Sequence, residues 1–194
     1  MAPLDSYIVR EATEADLPAI LEIYNERVLN STCLFIFDPV TLEDRLAWLE
    51  DSKKKGFPVI VAVEKNTDKA IAYASFGTFR SKPAYNLSVE VSLYIHLNHH
   101  RRGLGRLLLA ELIRIAKNMQ LRTMVASITS DNSASVALFK SFGFTLAGTF
   151  RDSGYKFGQF LDVAFYDLVL PDTKVETDIP QYKPFPWGSY VFNN

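Results

Sequence analysis

The chain has 194 residues, 21 lysines and arginines against 22 aspartates and glutamates, and a formal net charge of −1. That length suits one domain whose core needs no covalent staples, and 48% hydrophobic with 22% charged residues is the balance of a soluble globular protein. Near-neutral charge excludes attachment to nucleic acid by bulk electrostatics, and the single cysteine, Cys33, excludes an intramolecular disulfide and a cysteine-rich zinc module.

No apolar run reaches the ~18 residues of a membrane span, and Met1 to Arg10 has no signal-peptide core. A cytoplasmic protein without nucleic-acid or membrane partners is therefore expected.

A first strand is predicted at Tyr7–Arg10. The period then changes: Leu17, Ile20, Leu21, Tyr24 and Val28 recur at helical spacing within Ala12–Leu29, with Thr13 as N-cap. A second helix follows Thr41, using Leu42, Leu46 and Leu49, and stops at Gly56. Cys33 falls in the connection, where a small buried residue is the plain reading and a covalent acyl-enzyme role is not expected. Phe57–Val63 and Ala70–Phe79 read as a hairpin around Asn66-Thr67-Asp68, and Arg80–Asn86 as a polar connection.

Leu87–His96 is the most informative strand. Leu87, Val89, Val91, Leu93 and Ile95 are apolar, whereas Ser88, Glu90, Ser92 and Tyr94 share the opposite face. After Gly103 and Gly105 comes a long amphipathic helix, then a strand at Thr123–Ile128 and a short helix at Asn132–Phe142 closed by Gly143. Phe144–Phe150 and Leu161–Leu170 are the last strands. Residues 171–194 hold four of the nine prolines, yet also Tyr182, Phe185, Trp187, Tyr190 and Phe192. Disordered segments are poor in aromatics, so this extension is expected to be ordered and docked across a surface rather than free.

The stretch His99-His100-Arg101-Arg102-Gly103-Leu104-Gly105-Arg106 joins a strand to a helix. Backbone N–H groups at a helix start, freed by glycines for close approach and flanked by arginines, make an anion cradle. Without a following GK[ST] it is no Walker loop, and without a third glycine no dinucleotide fingerprint. A basic solvated turn is the competing reading. His96, His99 and His100 sit among arginines, a setting that disfavours a metal dication, and no metal is expected.

This order of elements, with the RRGLG loop and the lone Glu90 on the preceding strand, resembles the GCN5-related N-acetyltransferase superfamily over roughly residues 7–170. Finer motifs are similar to its phosphinothricin/methionine sulfone acetyltransferase group: Ala72-Tyr73-Ala74-Ser75-Phe76-Gly77, Met124-Val125-Ala126, Asp131-Asn132-Ser133-Ala134-Ser135 and Lys156-Phe157-Gly158 with Leu161-Asp162.

The resemblance implies an α/β fold, a splayed and mostly antiparallel mixed sheet with helices on both faces. A single acetyltransferase domain would span residues 1–170, with 171–194 as an extension. It implies acetyl-CoA held by Arg101, Arg102, Gly103, Leu104, Gly105 and Arg106. Leu93, Tyr94 and Ile95 would offer backbone groups to the acetyl and pantetheine arm, although Tyr94 also reads as a packed aromatic. Asn132 and Ser135 would meet the pantetheine, although an asparagine before a helix is also an ordinary N-cap.

Glu90 would be the general base. Phe79, Arg80 and Tyr85 would meet the acceptor, Arg80 by paired donors to an anionic group. A homodimer is implied as well. Two departures stand out: His100 replaces the Gln or Arg of the family loop, and Phe139 stands where many members carry a tyrosine that protonates the CoA thiolate.

The expected reaction is direct acetyl transfer from acetyl-CoA to the α-amine of a small amino-acid-like substrate. A polyamine or protein N-terminal acetyltransferase, and a non-catalytic acyl-CoA sensor, are the open alternatives. Arg80 and Lys82 speak for an anionic acceptor over a polyamine, and retention of Glu90 speaks against the sensor.

Overall fold

The computed structural model describes residues 6–175 and 177–193; what the sequence suggests for residues 1–5 lies outside these. Seven strands form one open sheet: β1 (Tyr7–Glu11), β2 (Val59–Glu64), β3 (Ala70–Thr78), β4 (Ser88–Ile95), β5 (Thr123–Thr129), β6 (Thr145–Lys156) and β7 (Gln159–Val169). Their order is β1-β2-β3-β4-β5-β7-β6. Only β4 and β5 are paired in parallel; the other pairs are antiparallel.

Helices cover both faces because the strands present apolar side chains both ways. On one face α1 (Leu17–Asn30) and α2 (Leu42–Lys55) pack Leu17, Ile20, Ile23 and Leu49 on Val59, Val61 and Tyr73. On the other, α3 (Leu104–Asn118) and α4 (Ser133–Lys140) bury Leu108, Leu112, Ile115 and Phe139 with Ile60, Val89 and Met124. On the even face of β4, Tyr94 packs against the α1–α2 core, whereas Glu90 and Ser92 line a cavity.

Local chemistry sets the helix ends. The Thr41 Oγ1 accepts from the Asp44 amide at 3.1 Å and the Asp44 carboxylate accepts from the Thr41 amide at 2.8 Å, a reciprocal cap for α2. Gly56 closes the helix at φ 67°, where a side chain would be strained. The first helix begins at Leu17, later than a Thr13 N-cap suggests. Thr13 and Asp16 first form a 3-10 turn over Glu14–Asp16, because the Asp16 carboxylate is drawn to the Arg10 guanidinium at 2.7 and 2.8 Å.

The last hairpin departs most from expectation. Its strands extend to Lys156 and from Gln159, joined at Phe157-Gly158, both with positive φ. Irregular pairing between Phe150 and Gly154 breaks the alternation that would have revealed the longer strand.

The extension after Pro171 lies on its own chain. Phe185 is 3% exposed and its amide donates to the Gly56 carbonyl at 2.8 Å. The Tyr182 ring stacks on Phe57, the Lys183 amide bonds the Met119 carbonyl, and the Gly188 amide bonds the Glu11 carboxylate. Pro184 crosses directly over Gly56, where a Cβ would lie 2.6 Å from the proline ring.

Candidate active site

The site begins where the parallel pair comes apart. β4 and β5 are paired over Ser88–Glu90 and Thr123–Val125, and no further. Beyond Glu90, β4 stays hydrogen-bonded to β3 as far as Ile95, while β5 follows β7. Between the diverging strands is a narrow slot of about 60 Å³, bounded by Leu93, Tyr94, Ile128, Asn132, Ser135 and Phe139. Backbone groups of β4 that have lost β5 as a partner face this gap.

Glu90 stands at the fork. It is half-buried, and the Ser127 hydroxyl donates to its Oε1 at 2.5 Å. From Glu90 a second cavity of about 680 Å³ opens, with an apolar wall made by Phe35, Phe37, Phe150 and Phe165. Cys33, Val91, Ser92, Tyr94 and Ser127 line both slot and cavity. The arrangement is therefore a thin channel meeting a wider pocket beside one carboxylate.

α3 starts beside the end of β4 and α4, where a Cβ on Gly105 would lie 3.5 Å from Ile95 and 3.0 Å from Leu138. Gly103 is its N-cap at φ 82°, and the first-turn amides of α3 have no intrahelical acceptor. With the helix dipole these N–H groups form an anion site. The side chains of the neighbouring arginines are partly committed elsewhere. Arg102 donates to the Tyr7 hydroxyl and the Asn98 carbonyl, and Arg106 donates to the Ser141 hydroxyl and lies over Phe142. Arg101 is exposed at φ 58°. A Cβ on Gly105 would point at Leu138, 3.0 Å away, so this glycine lets α3 approach α4 closely.

The remaining residues singled out from the sequence fall into two groups. Asn132 caps α4 by accepting from the Ser135 amide at 3.1 Å, and both residues also line the slot. Tyr94 packs on Tyr24 and Tyr73. Burial, then the nearby Cys33, drives its pKa well above the ordinary phenol value, so it stays protonated. Leu93 and Ile95 turn their side chains to the opposite core. Phe79, Arg80 and Tyr85 cluster apart from Glu90: Phe79 and Arg80 line a neighbouring cavity of about 480 Å³, and Tyr85 packs edge-on against Phe79. The two cavities share Phe150 and Phe165.

The acetyltransferase (GNAT) domain family matches residues 9–165. The L-methionine sulfoximine/L-methionine sulfone acetyltransferase of Salmonella typhimurium is 41% identical over 164 residues, 84% of this chain and 95% of that protein. The chain belongs to the GNAT acetyltransferase family. Among other relatives of this acetyltransferase, the phosphinothricin N-acetyltransferase of Streptomyces coelicolor is 36% identical, over 84% of this chain and 95% of that one. A solved GNAT superfamily phosphinothricin acetyltransferase from Sinorhizobium meliloti, in complex with acetyl-CoA, superposes with a TM-score of 0.85 at 32% identity, covering 90% of this chain and 95% of that one.

Three features of this acetyltransferase are not seen in its sequence pattern. Cys33 is half-buried and 2.9 Å from the Ser31 hydroxyl, at the junction of slot and cavity rather than in a remote connection. Phe35 and Phe37 of the same segment form cavity wall, and Ser127 meets Glu90 from β5. Only the last had a signal, as a polar residue on the face of β5 that matches Glu90 on β4. The histidines are engaged locally: His96 is 3.4 Å from Glu22, and His99 is 3.7 Å from Glu64. Burial and then Arg102 hold the His99 pKa below its ordinary value. No helix among the described residues is long and apolar enough to cross a membrane.

Proposed function

We propose that this acetyltransferase moves acetyl from acetyl-CoA to the α-amine of a small amino-acid-like substrate of the methionine sulfone, methionine sulfoximine or phosphinothricin type. Transfer is direct, and Glu90 is the general base. One observation carries the reading: a single carboxylate stands where the narrow slot between the diverging strands meets the larger cavity.

The residues present suit acetyl-CoA. The first-turn amides of α3 and the Arg101 side chain receive the pyrophosphate, while Asn132, Ser135 and the open edge of β4 receive the pantetheine arm. An acceptor reaching Glu90 as ammonium gives its proton to the carboxylate. The freed nitrogen lone pair attacks the thioester carbon, the C–S bond breaks with its electrons on sulfur, and the nitrogen, cationic after the attack, gives its second proton to solvent. Backbone N–H groups of β4 at the gap stabilise the oxyanion that forms in between. Phe139 has no proton to give, so the thiolate takes one from solvent. Ser127 orients Glu90 and keeps one of its oxygens occupied, leaving the other for the amine.

Arg80 sits at the far side of the shared aromatic wall, suited to the anionic end of the acceptor. Losing a charged hydrogen bond there costs about 1.5–3 kcal/mol, so Arg80→Ala is expected to raise the amino-acid KM by roughly 10–100-fold. Steady-state kinetics with each substrate varied checks this, with the acetyl-CoA dissociation constant unchanged. An unaltered acceptor KM would remove Arg80 from the site.

Residues 1–170 form the catalytic domain in this reading, and residues 171–194 an added extension. A homodimer is part of this reading, supported by the exposed apolar side chains Leu146, Phe150, Tyr155, Phe157 and Phe160 along the β6–β7 hairpin. A cytoplasmic location suits the single thiol beside the active site.

A further inference from the structure

The segment between α1 and α2 brings Cys33, Leu34, Phe35 and Phe37 into the wall of the Glu90 cavity, although residues 31–41 contain neither helix nor strand. A wall built from irregular backbone needs fastening from outside. Two contacts from the end of β6 supply it.

Lys156, the last residue of β6, is 2% exposed. Its ammonium donates to the carbonyls of Val28, Ser31 and Leu34 at 2.6, 2.9 and 2.7 Å. These three bonds use every donor the group has. A buried ammonium without them would be costly, and burial already lowers its pKa, with Cys33 acting in the opposite sense. The lysine thus gathers the end of α1 and the first residues of the segment around one point.

Gly154 supplies the second contact. A Cβ on it would lie 2.0 Å from Cε1 and 2.6 Å from Cδ1 of Phe35, so the Phe35 ring rests directly on the bare glycine backbone. Gly154 does not have a positive φ. The glycine is there for space, not for a backbone shape that other residues avoid.

We propose that Lys156 and Gly154 are positioning residues for the acceptor, fastening residues 31–37 to β6 and thereby setting the acceptor-side wall of the Glu90 cavity. This rests on reading that cavity as the acceptor site. Lys156 lines neither slot nor cavity and acts through Val28, Ser31 and Leu34; Gly154 borders the cavity itself and acts through the Phe35 ring that rests on it. If the fastening is lost, acceptor binding suffers most, since four residues of the segment line the cavity and only Cys33 borders the slot, and the cradle at α3 is not touched.

The test uses full-length Gly154→Ala and Lys156→Met. Three readouts are compared with wild type: the KM for L-methionine sulfone, the acetyl-CoA dissociation constant, and the rate at which Cys33 reacts with Ellman's reagent. Cys33 is the chain's sole thiol and lies on the fastened segment, so its labelling rate reports release of that segment without requiring turnover.

Both variants are expected to label about tenfold faster or more, and to raise the acceptor KM more than they lower kcat. Acetyl-CoA affinity should move far less than the acceptor KM. Adding Phe35→Leu to Gly154→Ala should give less than the sum of the two separate effects, since both act on one contact. Wild-type labelling and KM in folded Gly154→Ala would overturn the proposal, as would faster labelling with an unchanged KM. A lowered melting temperature with neither readout changed would make the contacts merely structural, and also overturns it. Should Lys156→Met fail to fold, Gly154→Ala decides alone. Should wild type acetylate no amino acid, the acceptor reading fails, and unchanged labelling would still refute the fastening.

Discussion

Glu90→Gln should lower kcat/KM by roughly 10²–10⁴, the scale of lost general-base catalysis, while leaving acetyl-CoA affinity intact. The substitution keeps the shape and still accepts the Ser127 hydroxyl bond seen at Oε1. What it removes is the ability to take a proton from the incoming ammonium. The deficit should therefore shrink as pH rises and more of the acceptor arrives as neutral amine. Rates measured from pH 6 to 10 for both proteins check the sign. An unchanged rate at neutral pH would take Glu90 out of the mechanism.

The second large effect is on stability. Ending the chain at Asp172 removes Phe185 from a buried position, the Tyr182 ring from Phe57, and the amide bonds to Gly56, Met119 and Glu11. Burial of one large aromatic side chain is worth roughly 1.5–3 kcal/mol. A net loss of ~3 kcal/mol corresponds to about 6–12 °C in melting temperature at this chain length. The extension packs on the ends of α2 and α3, and none of its described residues lines the slot or the Glu90 cavity. Turnover at low temperature should then be close to wild type. A truncated protein that melts with the full chain would show the extension to be unimportant for stability.

How far the sequence carries the fold depends on where regular period survives. β4 was legible because alternation put Glu90, Ser92 and Tyr94 on one side and five apolar residues on the other. The start of α3 was legible through its glycines, since a positive φ at Gly103 is a backbone demand that shows as residue type. The β6–β7 hairpin was only half legible, because the irregularity between Phe150 and Gly154 shifts the pattern mid-strand.

The site was less legible than the fold, for a similar reason. Residues 31–37 have no period, so nothing local tells that Phe35 and Phe37 meet Glu90. Lysine is a surface residue on average, and only the fold brings Lys156 to carbonyls more than 120 positions earlier in the chain. The RRGLG loop shows charge without direction. That Arg102 and Arg106 turn to Tyr7 and Ser141 is decided by tertiary neighbours.

Release of free thiol from acetyl-CoA, followed with a panel of acceptors in parallel, tests acetyl transfer to an amino-acid amine most directly. The panel should hold L-methionine sulfone, L-methionine sulfoximine, phosphinothricin, spermidine and a peptide with a free N-terminus, with acetyl-CoA binding measured alongside. Thiol release with the three amino-acid-like amines, far above that with spermidine or the peptide, is the expected result. Acetyl-CoA binding with no thiol release from any acceptor would make the protein a sensor, and release with spermidine or the peptide alone would contradict the proposed acceptor.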